Sequence, residues 1–342
     1  SWDVSSDNHT KSYIKYGEDA TDPNISIRKY AQETAKADEF KIKLNVKGNT
    51  SYKPGVDVVF LLDASSSMLN SGSGSVLSRK KNTDAALERI ITKLKELYPD
   101  NQGGIRIGSH IFSDYIGDTE PTSQLSKNHS DWDRIVTNYK NAFVVGHTFT
   151  QRGLREAADI FQNAPDIGQR YKLLFVLTDG APNRSWLPQT IASDPTMYFD
   201  KLYVSKFDMG IKANYYGYST FRTGNTTKFT SAYNGLTSHL TTTNSTAKVL
   251  KEVEGIQIHT IGVNIAGASG DHPTDQLVKG LYRMSTKKAN TGESDTASDY
   301  FYYDVSNPDE LTEVFKNWYD TVIRTVDKGI INDPLGDMVD IV

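Results

Sequence analysis

The chain has 342 residues, with 38 Lys or Arg against 42 Asp or Glu, so its formal charge is −4. This near balance gives no support to binding of nucleic acid or of an acidic membrane surface, because both roles depend on an excess of basic side chains. The absence of cysteine excludes disulfides, thiolate metal ligands and a cysteine nucleophile. No apolar stretch approaches the length of about 20 residues that a membrane span needs, so no membrane insertion is expected.

The N-terminal part of the sequence predicts two different kinds of strand. Residues 40–47 alternate strictly between apolar and polar, which predicts a strand with a half-buried apolar face and a wet polar face. Residues 56–62 are almost continuously apolar, as in a parallel strand that helices cover on both faces. This change of pattern places a domain boundary near Pro54.

Helix-like and strand-like patterns alternate along the rest of the chain. Helices are predicted at residues 79–98, 151–161, 274–284 and 311–323, and strands at residues 105–112, 172–177, 257–263 and 300–303. This alternation is typical of a doubly wound α/β fold, in which helices flank a mostly parallel sheet.

Two connections are longer than this architecture requires, and we interpret residues 114–145 and 181–250 as large insertions. The second is rich in aromatic residues and then in threonine, and both a folded excursion with its own small core and a binding arm fit this composition. Residues 328–342 return to β character. We therefore expect a small flanking β domain made from both chain ends, residues 1–54 and 328–342, around an α/β domain at residues 55–327. The start at Ser1 and the end at Val342 are typical of an excised fragment.

Oxygen-bearing side chains follow two of the apolar strands, at the edge where open α/β sheets bind ligands. Asp63, Ser65 and Ser67 alternate in the loop after the first, Thr148 directly precedes a helix, and Asp179 follows the second. Oxygen ligands of which few are charged suit a hard divalent cation. The first three residues alone would fit a helix cap equally well, but the addition of Thr148 and Asp179 favours a metal site.

These residues resemble the metal-ion-dependent adhesion site of von Willebrand factor A domains. Asp63-x-Ser65-x-Ser67, Thr148 and the corner formed by Thr178, Asp179 and Gly180 stand in the order of that family. The resemblance covers about residues 55–327. It implies that Ser65, Ser67 and Thr148 bind one divalent cation directly, and that Asp63 and Asp179 bind it directly or through water. The expected ion is Mg²⁺, with Mn²⁺ or Ca²⁺ as alternatives.

The flanking β segments and the long connections resemble the tip adhesins of sortase-assembled pili in Gram-positive bacteria. This resemblance implies a non-enzymatic adhesion module outside the cell, at a pilus tip or on the cell wall. Its metal would accept an acidic group from a host extracellular-matrix or cell-surface protein or glycan, and a pilus backbone subunit would bind parts outside this chain. His147, Asn183 and Arg184 are expected to line the rim of the ligand site. Two alternatives are an intracellular assembly module of the same family and a metal-dependent hydrolase.

Overall fold

The computed structural model describes residues 13–16, 25–37, 39–48, 55–71, 77–101, 104–114, 122–165, 170–180, 182–197, 201–213, 239–265, 274–289, 295–305, 310 and 313–314. By its internal contacts the chain divides into two units, one of Pro54–Phe315 and one that combines Ser1–Lys53 with Lys316–Val342. The domain limits expected at residues 54 and 327 stay predictions.

The described strands form three separate sheets. In chain order the strands are β1 (Ile14–Tyr16), β2 (Ile25–Glu33), β3 (Phe40–Gly48), β4 (Val56–Asp63), β5 (Ile105–Phe112), β6 (Thr122–Ser126), β7 (Tyr171–Thr178), β8 (Ser185–Ser193), β9 (Leu202–Ala213), β10 (Ile256–Val263) and β11 (Tyr302–Val305). Strands β1 to β3 form one antiparallel sheet, and β8 pairs with β9 in an antiparallel hairpin.

The central sheet of the larger unit has six strands in the order β11-β10-β7-β4-β5-β6. All neighbours are parallel except β5 and β6, which confirms the predicted α/β class with a mostly parallel sheet. Strand β4 is central, with parallel neighbours on both sides, and all its residues are buried. Its apolar run is therefore explained by cover on both faces.

Five α-helices are described in the larger unit: α1 (Arg79–Leu97), α2 (His129–Lys140), α3 (Thr150–Gln162), α4 (His239–Glu252) and α5 (Thr274–Met284). One apolar core joins α3, α4 and α5 to the sheet, and it includes Val59 and Leu61 of β4. Phe60 and Leu62 of the same strand point to the opposite face and are equally inaccessible. None of the described helices is long and apolar enough to cross a bilayer.

The predicted elements of the α/β part are confirmed to within a few residues, and β11 begins two residues later than expected. Most of the helix predicted at residues 311–323 lies outside the described residues. The insertion predicted at residues 114–145 is wrong, because it contains β6, the edge strand of the central sheet, and α2, which packs on α1 and β5. Helix α2 carries buried side chains at helical spacing, namely Trp132, Ile135, Val136 and Tyr139.

The insertion predicted at residues 181–250 is too long, since its final part is α4, which packs on α3 and β10. The threonine-rich run is buried in this helix. Thr242 and Thr243 donate hydroxyl hydrogen bonds to the carbonyl of His239, and Ser245 donates to Thr241. The carbonyls of the same helix thus accept hydrogen bonds from these hydroxyl groups, so the polar run can be buried in a helix. The hairpin β8–β9 is the described remainder, and the aromatic-rich residues 214–238 lie outside the described residues.

The N-terminal strand prediction is confirmed by β3, but its predicted burial is wrong. The apolar side chains of β3 are exposed, for example Phe40 at 58% and Val46 at 47%. The opposite face is the more buried one in the described residues, because Arg28 on β2 is 7% exposed and its guanidinium lies 4.5 Å above the ring of Tyr30.

Candidate metal site

The ends of β4 and β7 bring the two predicted carboxylates to the same edge of the sheet. These strands are adjacent and parallel, and Leu62 pairs with Leu177 in register. Asp63 is fully buried: its Oδ1 accepts the backbone N–H of Ser65 at 2.7 Å, and its Oδ2 accepts the hydroxyl of Thr178 at 2.6 Å. The Thr178 hydroxyl therefore links the two strand ends directly.

Two serine hydroxyls extend this network to the second carboxylate. The Oγ of Ser67 donates to Oδ1 of Asp179 at 2.9 Å, and it lies 3.2 Å from the Oγ of Ser65. Of the five predicted metal ligands, Asp63, Ser65, Ser67 and Asp179 are thus joined by hydrogen bonds at one point of the sheet edge.

The fifth predicted ligand, Thr148, lies on a second loop, which is hydrogen-bonded to the loop that follows β4. The N–H of Ser66 donates to the carbonyl of Gly146, whose φ of 80° is favourable for glycine. The N–H of Thr148 donates to Oδ1 of Asn183 at 2.9 Å, and its carbonyl accepts the N–H groups of Asn183 and Arg184. The backbone of Thr148 is therefore fixed on both sides.

The three residues predicted at the rim differ in what they present. His147 is exposed, whereas Asn183 and Arg184 are half-buried. The guanidinium of Arg184 lies 3.4 Å from Asp114, whose other carboxylate oxygen accepts the N–H of His147 at 2.6 Å. Asn183 and Arg184 thus hold the Thr148 loop in place. A direct role of these residues in ligand binding stays a prediction.

Sequence reasoning missed two charged residues at this edge. Arg79, the first residue of α1, is 4% exposed and donates to Oδ2 of Asp179 and to the carbonyl of Asn264, both at 3.1 Å. No local pattern marks this arginine as buried. Asp114 follows β5 at the same edge. The rule that ligand residues follow the carboxyl ends of the strands, which located Asp63, would also have found it.

Burial and mutual repulsion make this edge favourable for a cation. Burial raises the pKa of Asp63, and burial followed by the charge of Asp63 raises the pKa of Asp179 to about 7. Buried Asp57, at the other end of β4, has ion pairs with Arg106 and Arg170. Asp63 has no basic partner among the described residues. When both carboxylates are ionised, they and the single guanidinium of Arg79 leave one negative charge.

The donor set fits a hard divalent ion. Among the described residues, no group of three or more His, Cys, Asp and Glu side chains could hold a metal. An ion here would therefore depend on hydroxyl oxygens together with two carboxylates. Such a set of oxygen ligands is the chemistry that Mg²⁺, Mn²⁺ and Ca²⁺ prefer.

Solved pilus proteins share this fold. The pilus adhesin SpaC from Lactobacillus rhamnosus GG is 25% identical with a TM-score of 0.62, over 91% of this chain and 36% of that chain. The vWF domain of the type V pili tip protein Mfa5 from Porphyromonas gingivalis is 17% identical with a TM-score of 0.51, over 82% and 99% of the two chains. The pilus adhesin RrgA from Streptococcus pneumoniae is 16% identical with a TM-score of 0.50, over 91% and 50%.

The present chain spans little more than a third of the length of SpaC. A search of curated proteins found no match. The family model of the von Willebrand factor type A domain matches residues 57–317, which include all the predicted metal ligands and all of the central sheet except Val56. The chain therefore belongs to the von Willebrand factor type A domain family.

Proposed function

We propose that this chain is a cell-surface adhesion module that binds a host ligand through one divalent cation. The observation that carries the proposal is the network in which Asp63, Ser65, Ser67 and Asp179 meet at the edge of the sheet, beside the loop of Thr148. The likeness to proteins described as pilus adhesins supports an extracellular location, at a pilus tip or on the cell wall.

The residues of the proposed site would contribute to metal binding in two ways. Asp63 and Asp179 supply negative charge, and Ser65, Ser67 and Thr148 supply neutral oxygen ligands. The bound ion, Mg²⁺ in the first place and Mn²⁺ or Ca²⁺ as alternatives, would supply a positive centre for an acidic group of the ligand. With Arg79 included, the loaded site carries one net positive charge, which favours an anionic partner.

The proposed ligand is an extracellular-matrix or cell-surface protein or glycan of a host. Exposed His147 lies next to Thr148 and is the rim residue most accessible to such a ligand. Contact with a pilus backbone subunit is proposed for parts of the protein outside this chain.

A buried serine and histidine at hydrogen-bond distance do not support the hydrolase alternative. Ser185 Oγ lies 2.7 Å from Nδ1 of His239, as a nucleophile and its base would. Both residues are at most 1% exposed, so no substrate reaches them. The pair is better explained as a buried hydrogen bond between β8 and α4.

Calorimetric titration of chelator-stripped protein with Mg²⁺ and with Mn²⁺ tests the proposal. Wild type is expected to show one saturable site, and Asp63→Ala is expected to lose it. Asp133→Ala is the matched control, because Asp133 is 58% exposed and pairs with Lys95 on the surface. Absence of binding in the wild type, or equal loss in both variants, would refute the metal site. Binding to immobilised matrix proteins that persists in chelator would refute a metal-dependent adhesion mechanism.

A further inference from the structure

A cleft of about 410 Å³ lies on the helical side of the larger unit, between α4, α5 and the turn after β8. Its volume is within the range of small-ligand sites. The cleft is lined by four basic residues, Lys248, Lys251, Arg283 and Lys287, and by one acidic residue, Glu252. No proposed metal ligand lines it, so it is separate from the metal site.

The four cations of the cleft are not equally compensated. Lys248 pairs with Glu252 at 2.9 Å, and Arg283 pairs with Asp295. The ammonium of Lys251 instead donates to two backbone carbonyls, those of Arg283 and Ser285, both at 3.0 Å. It contacts no carboxylate among the described residues. Burial lowers the pKa of Lys251 to about 8, so the group still carries most of its charge at neutral pH. The cleft thus contains a charge that an anion would neutralise.

A buried acceptor on a residue that lines this cleft points to a second requirement. Asn244 is 5% exposed, and its Nδ2 donates to the carbonyl of Gly280. Its Oδ1 has no hydrogen-bond partner among the described residues. Buried acceptors are almost always paired with protein or water, so a ligand hydroxyl or amide that replaces water here would satisfy this oxygen. A ligand with only anionic oxygens offers it no donor.

We propose that this cleft binds a sugar unit that carries a carboxylate, such as a hexuronic or a sialic acid of a glycan. The carboxylate would neutralise Lys251, with Lys287 at the exposed rim, and a sugar hydroxyl or amide would donate to Asn244. Met197 and Tyr300 also line the cleft and offer apolar surface to the C–H groups of a sugar ring. A neutral sugar would bring no negative charge to Lys251, and a simple anion would bring no donor to Asn244. The inference does not depend on the proposed metal site.

The test is a titration with methyl glucuronide and with methyl N-acetylneuraminide in the presence of chelator, followed by NMR. At least one of them is expected to saturate, and the stronger binder identifies the class of acid. Lys251→Met is expected to weaken binding about tenfold or more, as loss of a charge-assisted hydrogen bond does. Lys287→Gln and Asn244→Ala are expected to weaken it as well. Asp63→Ala and the surface variant Lys95→Met are matched controls that should bind like the wild type.

Four results would overturn the proposal: no saturation by either acid, equal affinity for neutral methyl glucoside, equally tight binding of sulfate, or unchanged affinity in the folded cleft variants. Circular dichroism establishes which variants fold. If Lys251→Met does not fold, Lys287→Gln and Asn244→Ala decide the outcome. Loss of binding in Asp63→Ala would likewise overturn the claim that the cleft is independent of the metal site.

Discussion

Replacing Arg79 with methionine gives a quantitative test of the electrostatics of the metal site. The Arg79 guanidinium is 4% exposed, and it is the only basic group that pairs with Asp179 among the described residues. Methionine keeps much of the apolar volume but leaves the buried carboxylate without its partner. Breaking a buried ion pair in this way costs about 3–5 kcal/mol. The free energy of unfolding of metal-free Arg79→Met is therefore expected to fall by about that amount.

The loss should depend on the metal, because a bound divalent cation would neutralise Asp179 in place of the guanidinium. In saturating Mg²⁺ the variant is expected to lose less stability than in chelator. By linkage, a smaller loss in the loaded state means that the variant binds Mg²⁺ more tightly than the wild type.

Urea denaturation in chelator and in saturating Mg²⁺, for wild type and variant, measures both effects. Arg89→Met is the matched control, since Arg89 is an exposed residue of the same helix and its replacement should change stability by no more than about 0.5 kcal/mol. Equal losses with and without Mg²⁺ would refute the reasoning, because the guanidinium and the ion would then not compensate the same charge.

Three further substitutions test the Thr148 loop, one buried histidine and the core. Asn183→Ala leaves the N–H of Thr148 without its acceptor, and the Mg²⁺ affinity measured by calorimetry should fall about fivefold; unchanged affinity would contradict a positioning role. Burial lowers the pKa of His259 to about 3, so only the unfolded state gains its proton below pH 6.5. The free energy of unfolding should therefore fall towards pH 4 more steeply in the wild type than in His259→Phe. The difference in slope should be up to about 1.4 kcal/mol per pH unit, and equal slopes would argue against this. Replacing a glycine within a helix by alanine usually stabilises the helix. In Gly153→Ala, however, the new Cβ would lie 2.9 Å from Cγ of Phe112. Thermal unfolding should show a loss of about 1–3 kcal/mol, and a higher Tm would contradict the tight packing.

The sequence contains enough to locate five of the six strands of the central sheet and two carboxylates at its edge. Continuous apolar runs identify buried parallel strands, and the residues that follow them, such as Asp63 and Asp179, must lie at the carboxyl edge. This inference needs only local patterns and one rule of topology.

Other features depend on contacts between distant parts of the chain. The threonine-rich helix α4 was missed because its hydroxyls bond back to their own helix, which no polarity scale records. The burial of Arg79 follows from the meeting of α1, β7 and β10, and the exposure of Phe40 follows from which face of the N-terminal sheet is covered. Neither can be read from residues adjacent in sequence.

The position of β4 has a mechanical consequence for an adhesion module. Its first residue, Val56, is next to the connection with the smaller unit, and its last, Asp63, belongs to the proposed ligand site. A load applied between Val56 and Asp63 would run along the axis of this strand. Because β4 is hydrogen-bonded to β5 and β7 over its length, the load would be shared by both ladders in shear at the same time. Rupture would require many bonds to fail together, whereas an edge strand peeled from one end would lose them one by one.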